Sequence, residues 1–396
     1  MGNLILRTNI QHTGPKIMIL YASYGEGHIQ ASRALQEAFE LHGITNTIMV
    51  DLMAAAHPWI NEMTKRVYMK SFTMMPGLYG WVYDITRPMK HDSLFASWLH
   101  SFGRETLRRI LAAERPHCII HTFPVFVAPA LRKKRSPMPP TCAVITDFDL
   151  HRRWVHPGID RYYVSTDDMR QELVSLGISE RRVCTSGIPV KRAFSDLPIA
   201  DTTLIRHKFG FSRELPIVLI MAGAQGVLPD ISALCSLLLA NPGLEIALVC
   251  GRNAPLARSV RRDFAFHPEQ SRLHVFDYVD TIHELMSVAA CIVTKPGGIT
   301  LTEAIAARLP IFIYRPVPGQ ERNNAYYMES KGAAVIAEQP HGLAGEIVKL
   351  INDPVRLDNM GSASGKLHLG QASDRIVLDI LQNLNIMEGA HALVKG

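Results

Sequence analysis

No stretch of the 396 residues approaches the about 18 consecutive apolar residues that a membrane-spanning helix needs. The first residues also lack a basic leader followed by a long apolar run, so the protein is expected to be neither secreted nor spanning. Cysteine is scarce: Cys118, Cys142, Cys184, Cys235, Cys250 and Cys291 stand singly, with no CxxC or zinc-type spacing. Most of them lie in apolar, strand-like runs, which favours buried, reduced thiols in a cytosolic protein. Low-complexity tracts are lacking as well. Net positive charge is missing from the second half, where 18 Lys+Arg face 19 Asp+Glu over residues 201–396, while residues 1–200 carry 24 against 17. The whole surplus of +6 therefore comes from the first half, which points to an acidic partner such as an anionic membrane surface or nucleic acid.

What the chain has in abundance is short apolar runs alternating with helical patterns, the signature of parallel strands joined by crossover helices. The first series is IMILYA (17–22), TIMVDL (47–52), CIIHTF (118–123), TCAVIT (141–146) and RYYVST (161–166). The second is IVLIMAG (217–223), EIALVCG (245–251), LHVFDYV (273–279), ACIVTK (290–295), PIFIYRP (310–316) and AAVIAE (333–338). Two such series predict an α/β protein with two Rossmann-like, doubly wound domains in tandem, joined by a linker near residues 190–210. The closing segment, about 354–385, is helical in pattern and is expected to pack back across the first domain.

The most informative stretch is TKPGGITLTEAIAARLPIFIYRPVPGQERNNAYYMESKGAA, Thr294 to Ala334. A strand ends at Lys295, Pro296-Gly297-Gly298 turn the chain without bulk, and a helix is expected to start near Thr300 to Thr302. Backbone amides at such a helix start suit a diphosphate. Glu303, placed in the first helical turn, can reach ribose hydroxyls or cap the helix as TLTE does in a capping box. Gln320 and Glu321, at the carboxyl end of the next strand, offer amide and carboxylate groups for sugar hydroxyls. MAGAQG, Met221 to Gly226, is a second small-residue loop able to approach phosphate.

The amino-terminal counterpart is KIMILYASYGEGHIQASRALQEAF, Lys16 to Phe39, a strand, a glycine turn and a helix. Its GEGH allows three readings. As a dinucleotide site it has Gly25, Gly27 and an acid, Asp51, ending the next strand, but Gln30 replaces the third glycine and His28 crowds the pyrophosphate. As a local feature, His28 hydrogen-bonds at the helix start. As a general base, it is kept neutral by the helix amino terminus and accepts a proton. Asp147 can orient it or an acceptor, and its DxD spacing with Asp149 is a weak metal signal. His121 and His151 follow or end apolar strands and are expected to be structural or to line the site.

Between Trp59 and Arg104 stand three of the four tryptophans, Trp59, Trp81 and Trp98, with Phe72 and other aromatics. Lys65, Arg66, Lys70, Arg87 and Lys90 are interleaved with them. Aromatic rings beside cations describe an interfacial, lipid-facing segment, against the plainer alternative of a core with a solvated basic face. Arg132-Lys133-Lys134-Arg135 reads as a solvated turn. No nucleic-acid recognition module is apparent, so nucleic acid is not expected as a partner.

LYASYGEGH, HTFP (121–124), MAGAQGVL, TKPGGITLTEA and PVPGQE occur in the order found in the GT-B glycosyltransferases of family 28. These include the bacterial peptidoglycan N-acetylglucosaminyltransferase and the plant monogalactosyldiacylglycerol synthases. Over about residues 16–380 the chain most resembles the processive diacylglycerol β-glucosyltransferases. The resemblance implies two Rossmann-like domains with a cleft between them: an acceptor and membrane-binding domain over 1–195, a UDP-sugar domain over 196–380 and a tail over 381–396. It implies that Glu303 holds the ribose, and that Gly297, Gly298, Thr300 and the Gly223 to Gly226 loop hold the diphosphate. Gln320 and Glu321 are assigned the hexose, the backbone of Tyr278 and Val279 the uracil, and Arg252 and Asn253 are further donor candidates. His28 becomes the base, with Asp147 beside it. Trp59, Lys65, Arg66, Phe72, Trp81 and Trp98 meet diacylglycerol and an anionic membrane surface.

The implied activity is inverting transfer of glucose from UDP-glucose, as co-substrate, to 1,2-diacylglycerol, processive if di- and triglucosyl products form. No metal is expected, because helix dipoles and amides stabilise the leaving group. The enzyme is expected to be cytoplasmic and peripheral on the inner face of the cell membrane. Alternatives are a UDP-galactose-dependent synthase, an N-acetylglucosaminyltransferase acting on a polyprenyl-linked acceptor, and a non-enzymatic UDP-sugar sensor that binds a protein partner.

Overall fold

A computed structural model describes residues 14–23, 25–59, 62–63, 76–89, 103–132, 138–194, 202–224, 226 and 228–383. Two compact units are present, one drawn from residues 1–192, 318–320 and 369–396 and the other from 193–317 and 321–368. Each is built on a six-stranded, wholly parallel sheet.

In the first unit β1 (Ile17–Tyr21), β2 (Thr47–Asp51), β3 (Cys118–His121), β4 (Thr141–Val144), β5 (Arg161–Val164) and β6 (Val183–Thr185) lie in the order β2-β1-β3-β4-β5-β6. In the second, β7 (Ile217–Met221), β8 (Glu245–Val249), β9 (Leu273–Phe276), β10 (Cys291–Thr294), β11 (Ile311–Tyr314) and β12 (Ala334–Ala337) lie in the order β12-β11-β10-β7-β8-β9. Strands such as β1, β3, β4, β7, β10 and β11 are buried on both faces beneath helices, which is why they read as unbroken apolar runs instead of alternating ones. All eleven expected runs hold strands, each slightly shorter than its run because the carboxyl ends turn out into loops. β6 was not expected: three residues at a sheet edge carry no periodicity to read.

Strand order reverses at one place in each sheet. In the first unit the reversal separates the connections leaving β1 and β3; in the second it separates those leaving β7 and β10. Open parallel sheets bind ligands outside the carboxyl ends of strands at such a reversal. The first pair of connections holds Ser23–His28 and Thr122–Phe123, and the second holds Gly223–Gly226 and Lys295–Gly298.

The helix Pro354–Lys366 stays with the second unit, whereas the closing helix Ala372–Asn383 belongs to the first. Its Ile376, Val377 and Ile380 are fully buried in the same core as Leu35, Phe39 and Ile120. All six cysteines are free thiols, five of them buried. No helix among the described residues is long and apolar enough to cross a membrane.

Candidate active site

In the first unit the chain leaves β1 through Ala22 and Ser23 and enters the helix Glu26–Leu41 at Gly25, which is extended (φ −151, ψ 154) and supplies no side-chain cap. A Cβ on Gly25 would meet no atom of the described residues within 4 Å, its chain neighbours aside. Neither backbone strain nor crowding therefore explains that glycine, and the open space in front of the helix does. His28 stands in the first turn. Its Nδ1 lies 3.1 Å from the Thr146 hydroxyl, and its ring meets Phe123 edge to face at 5.0 Å. The Ser32 hydroxyl donates to the His28 carbonyl at 2.8 Å and lies 2.9 Å from Thr122 Oγ1, tying the helix to the β3 connection. Burial pushes the His28 imidazole down to about 4, only partly opposed by a hydrogen bond to the Thr122 backbone. A ring so shifted is uncharged at neutral pH.

The Asp51 carboxylate is engaged within the fold. Its Oδ2 accepts from Ser23 N at 3.1 Å and from the Ser23 hydroxyl, while Oδ1 caps the helix Leu52–Ala56 through Ala54 N at 3.0 Å. Asp147 is buried in the loop after β4, and Ser165 Oγ donates to its backbone carbonyl at 2.7 Å. Its Oδ1 accepts from Gln320 Nε2, Gln320 being part of the first compact unit. The side chain bonded to the His28 ring is thus that of Thr146, the residue before Asp147, and the sequence offered no signal for it. Asp149 is engaged by Tyr83 and Arg87, so the DxD carboxylates have separate protein partners. His151 is buried and its ring is pushed down to about 3, first by burial and then by Arg153 and Arg87. A small hollow beside this site is lined by Leu20, Tyr21, Ala22, Leu52, Met53, Phe123 and Val125, with His121 among them.

In the second unit the helix after β10 begins at Gly298, with Gly297 as its N-cap (φ −72, ψ 138), earlier than expected. The first intrahelical bond runs from Leu301 N to the Gly297 carbonyl at 3.0 Å, so the amides of Gly298, Ile299 and Thr300 are the unsatisfied donors of the helix start. Glu303 accordingly sits in the second turn, and the capping-box alternative falls, because the residue three before it, Thr300, is already helical. A Cβ on Gly297 would also meet nothing within 4 Å.

The neighbouring loops are locked by close backbone approach. Gly226 is left-handed (φ +62), and a Cβ there would lie 2.2 Å from Asn253 Cβ and 2.4 Å from the Cys250 carbonyl. Gly251 (φ +62) is equally pressed against the Gly223 carbonyl at 2.5 Å. Asn253 fastens the loop from both ends of its amide: Nδ2 donates to the Gly226 carbonyl at 2.9 Å, and Oδ1 caps the helix Ala254–Asp263 through Leu256 N at 3.0 Å. The Arg252 guanidinium lies 5.1 Å above the Tyr278 ring, with Val279 next in the loop after β9. Glu321, in the first turn of the helix Gln320–Ser330, accepts from Val317 N at 3.2 Å; burial pushes its carboxyl up and Lys295 opposes that. Asn324 Nδ2 donates to the Pro296 carbonyl at 3.0 Å from a fully buried position. Asn324 thus holds the glycine turn and Lys295 faces Glu321, partnerships that only the three-dimensional neighbourhood reveals.

Of the aromatic and basic residues expected to face lipid, Trp59 is 91% and Trp81 62% exposed. Lys65, Arg66, Phe72 and Trp98 lie outside the described residues. Val82 and Ile85 join Trp81 as exposed apolar residues on the helix Pro76–Thr86. Among the described residues no group of three His, Cys, Asp or Glu side chains is placed to hold a metal ion.

Two family models match in order, the monogalactosyldiacylglycerol (MGDG) synthase model over residues 28–190 and the glycosyltransferase family 28 C-terminal domain model over residues 217–376. A Bacillus cytotoxicus protein named processive diacylglycerol beta-glucosyltransferase is 38% identical over 381 residues, covering 96% of this chain and 97% of that relative. Among solved structures, S. aureus MnaA in its UDP co-structure superposes with a TM-score of 0.60 at 18% identity, over 94% of this chain and 98% of that one. MurG from Acinetobacter baumannii gives 0.60 at 15% identity, over 93% and 100%. The structural likenesses carry the GT-B fold, and the sequence relatives carry the rest: this chain belongs to the processive diacylglycerol beta-glucosyltransferase family, sugar-transferring enzymes of glycosyltransferase family 28.

Proposed function

We propose that the enzyme transfers glucose from UDP-glucose to the free hydroxyl of 1,2-diacylglycerol with inversion, and reuses the β-glucosyl lipid as acceptor to build di- and triglucosyl products. The observation that carries this is His28: an imidazole kept neutral by burial at the sheet reversal of the first unit, in the first turn of the helix that Gly25 opens. The acceptor hydroxyl attacks the anomeric carbon from the face opposite the nucleotide, its proton passes to the His28 ring, and the bond to UDP breaks. The diphosphate charge is met by the Gly298, Ile299 and Thr300 amides and the Gly223–Gly226 loop, without a metal in the scheme. Glu303 takes the ribose, the backbone at Tyr278 and Val279 the uracil under the Arg252–Tyr278 pair, and Gln320 with Glu321 the hexose. Asp147 faces the acceptor. The exposed Trp59, Trp81, Val82 and Ile85, with the basic residues around them in sequence, dock the enzyme peripherally on the anionic inner face of the cell membrane.

Incubation with diacylglycerol vesicles and either UDP-glucose or UDP-galactose, followed by chromatography of the lipids, tests this. Mono-, di- and triglucosyl lipids from UDP-glucose are expected. Product from UDP-galactose alone reassigns the donor, and no glycolipid from either overturns the proposal. Gly297→Ala isolates the diphosphate site: the backbone angle suits alanine and its methyl meets no atom of the described residues beyond its chain neighbours, so folding is expected to change little while UDP affinity drops about tenfold. Calorimetric titration with UDP checks it, and unchanged affinity removes Gly297 from the site.

A further inference from the structure

The loop leaving β4, which carries Thr146 to Leu150, is held from two sides. On the β5 side Ile145 N donates to the Tyr163 carbonyl at 2.9 Å and Ser165 Oγ to the Asp147 carbonyl at 2.7 Å. Besides the bond from Gln320 Nε2 to Asp147 and the Thr146–His28 contact, the loop is met by the helix Pro76–Thr86 and the turn that follows it. Tyr83 OH donates to Asp149 Oδ2 at 3.0 Å, Arg87 Nη2 to Asp149 Oδ1 at 2.6 Å, and Arg152 N to the Arg87 carbonyl at 3.2 Å. Thr86 Oγ1 lies 3.4 Å from His151 Nε2, and the Tyr83 and His151 rings meet edge to face at 4.9 Å. Asp149 is only 12% exposed at its side chain, so its two charge-assisted bonds are sheltered from water.

We propose that Asp149, clasped by Tyr83 and Arg87, is a positioning residue for the base: it fixes the loop whose Thr146 hydroxyl holds the His28 ring. This rests on His28 as the base. Asp149 touches no reacting group; it acts through a three-residue span of backbone to Thr146. Because Trp81, Val82 and Ile85 are exposed on the same helix, the surface assigned to lipid and the loop that sets the imidazole are joined through one element.

Releasing the clasp lets the loop relax and admits water to the ring, and a solvated imidazole returns towards its ordinary value of about 6.5. Among the described residues the His28 ring is met by Phe123, Thr122 and Thr146, and its shift carries no contribution from a charged side chain. Asp149 is met by Arg87 and Tyr83, and by Glu172, whose carboxyl is pushed up by burial and then by Asp149 and drawn down by Arg87 and Arg152; His151 stands against Arg153 and Arg87.

The test is a pH titration of the full-length protein with isotope-labelled histidine, followed by NMR without substrate, the His28 signal being identified by its loss in His28→Gln. Asp149→Asn and Arg87→Gln are expected to raise the His28 midpoint by about one unit or more, and to lower kcat while UDP affinity holds. Arg87→Lys, which keeps the charge, is expected to stay near the unsubstituted protein. Should Asp149→Asn fail to fold, Arg87→Gln carries the test, since the Arg87 side chain is 42% exposed. An unmoved midpoint in a folded variant overturns the proposal. The titration needs no substrate, so a failure of the proposed reaction registers separately, as absence of glycolipid from the unsubstituted enzyme.

Discussion

His28→Ala is expected to lower kcat by about 10²–10⁴ while leaving UDP affinity unchanged, because UDP is assigned to the second unit and the histidine lies in the first. Rates on diacylglycerol vesicles at saturating donor, beside calorimetric titration with UDP, measure both quantities. Turnover equal to that of the unsubstituted enzyme removes His28 from the mechanism. The pH dependence sharpens the expectation. A histidine with its ordinary value loses its basic form below about pH 6.5, whereas one pushed down to about 4 keeps it through the weakly acidic range. The acid limb of kcat is therefore expected below pH 5. Stability follows the same shift: the native state favours the neutral ring, so its contribution is complete above the unfolded value and is lost as pH falls from about 6.5 towards 4. His28→Gln should remove that part of the acid sensitivity, which urea melts at pH 7 and pH 5 detect.

Much of the fold was legible because doubly buried parallel strands have no polar face to interrupt them, as IMILY and IVLIM show. Val183–Thr185 escaped notice because three edge residues between arginines and a glycine turn hold no pattern. The glycine turns were legible too, and the structure gives their physical reason: Gly25 and Gly297 face open space, whereas Gly226 and Gly251 are needed for close backbone approach. What one-dimensional reading missed was partnership across the fold. Asp51 looked like a ribose acid from its place after β2, yet its carboxylate is taken up by Ser23 and a helix cap. Glu303 looked like a capping residue because TLTE has the spacing, and the helix begins earlier, at Gly298. Asn253 looked available and is a fastener of the Gly226 loop. Thr146 and Lys295 stand next to residues that drew attention, Asp147 and Pro296, but the features that make them matter are a ring and a carboxylate far away in sequence.

Asp379→Ala is expected to destabilise the first unit by about 3 kcal/mol, lowering its melting temperature by roughly 6–12 °C. The closing helix Ala372–Asn383 reads as amphipathic, with Ala372, Ile376, Val377, Ile380 and Leu381 turned into the core of the first unit. Apolar burial alone would tolerate some rotation of the helix; Asp379 does not. Its Oδ1 accepts from Arg161 Nη2 at 2.6 Å, and its Oδ2 accepts from Arg161 Nε at 2.8 Å and from Tyr163 OH at 2.7 Å. That paired geometry fixes the register of the helix on β5. Arg161 and Asp379 are 19% and 14% exposed, so removing the carboxylate strands a mostly buried guanidinium, which costs more than the pair itself contributes. Asp379→Asn, which keeps one acceptor, should fall between the two. Because Leu35 and Phe39 of the His28 helix share this core, losing the closing helix should remove activity although it touches no substrate group. Thermal melts of both variants, with UDP titration as a control on the second unit, distinguish the outcomes. A melt of Asp379→Ala unchanged from that of the unsubstituted protein would show that apolar contacts alone hold the helix.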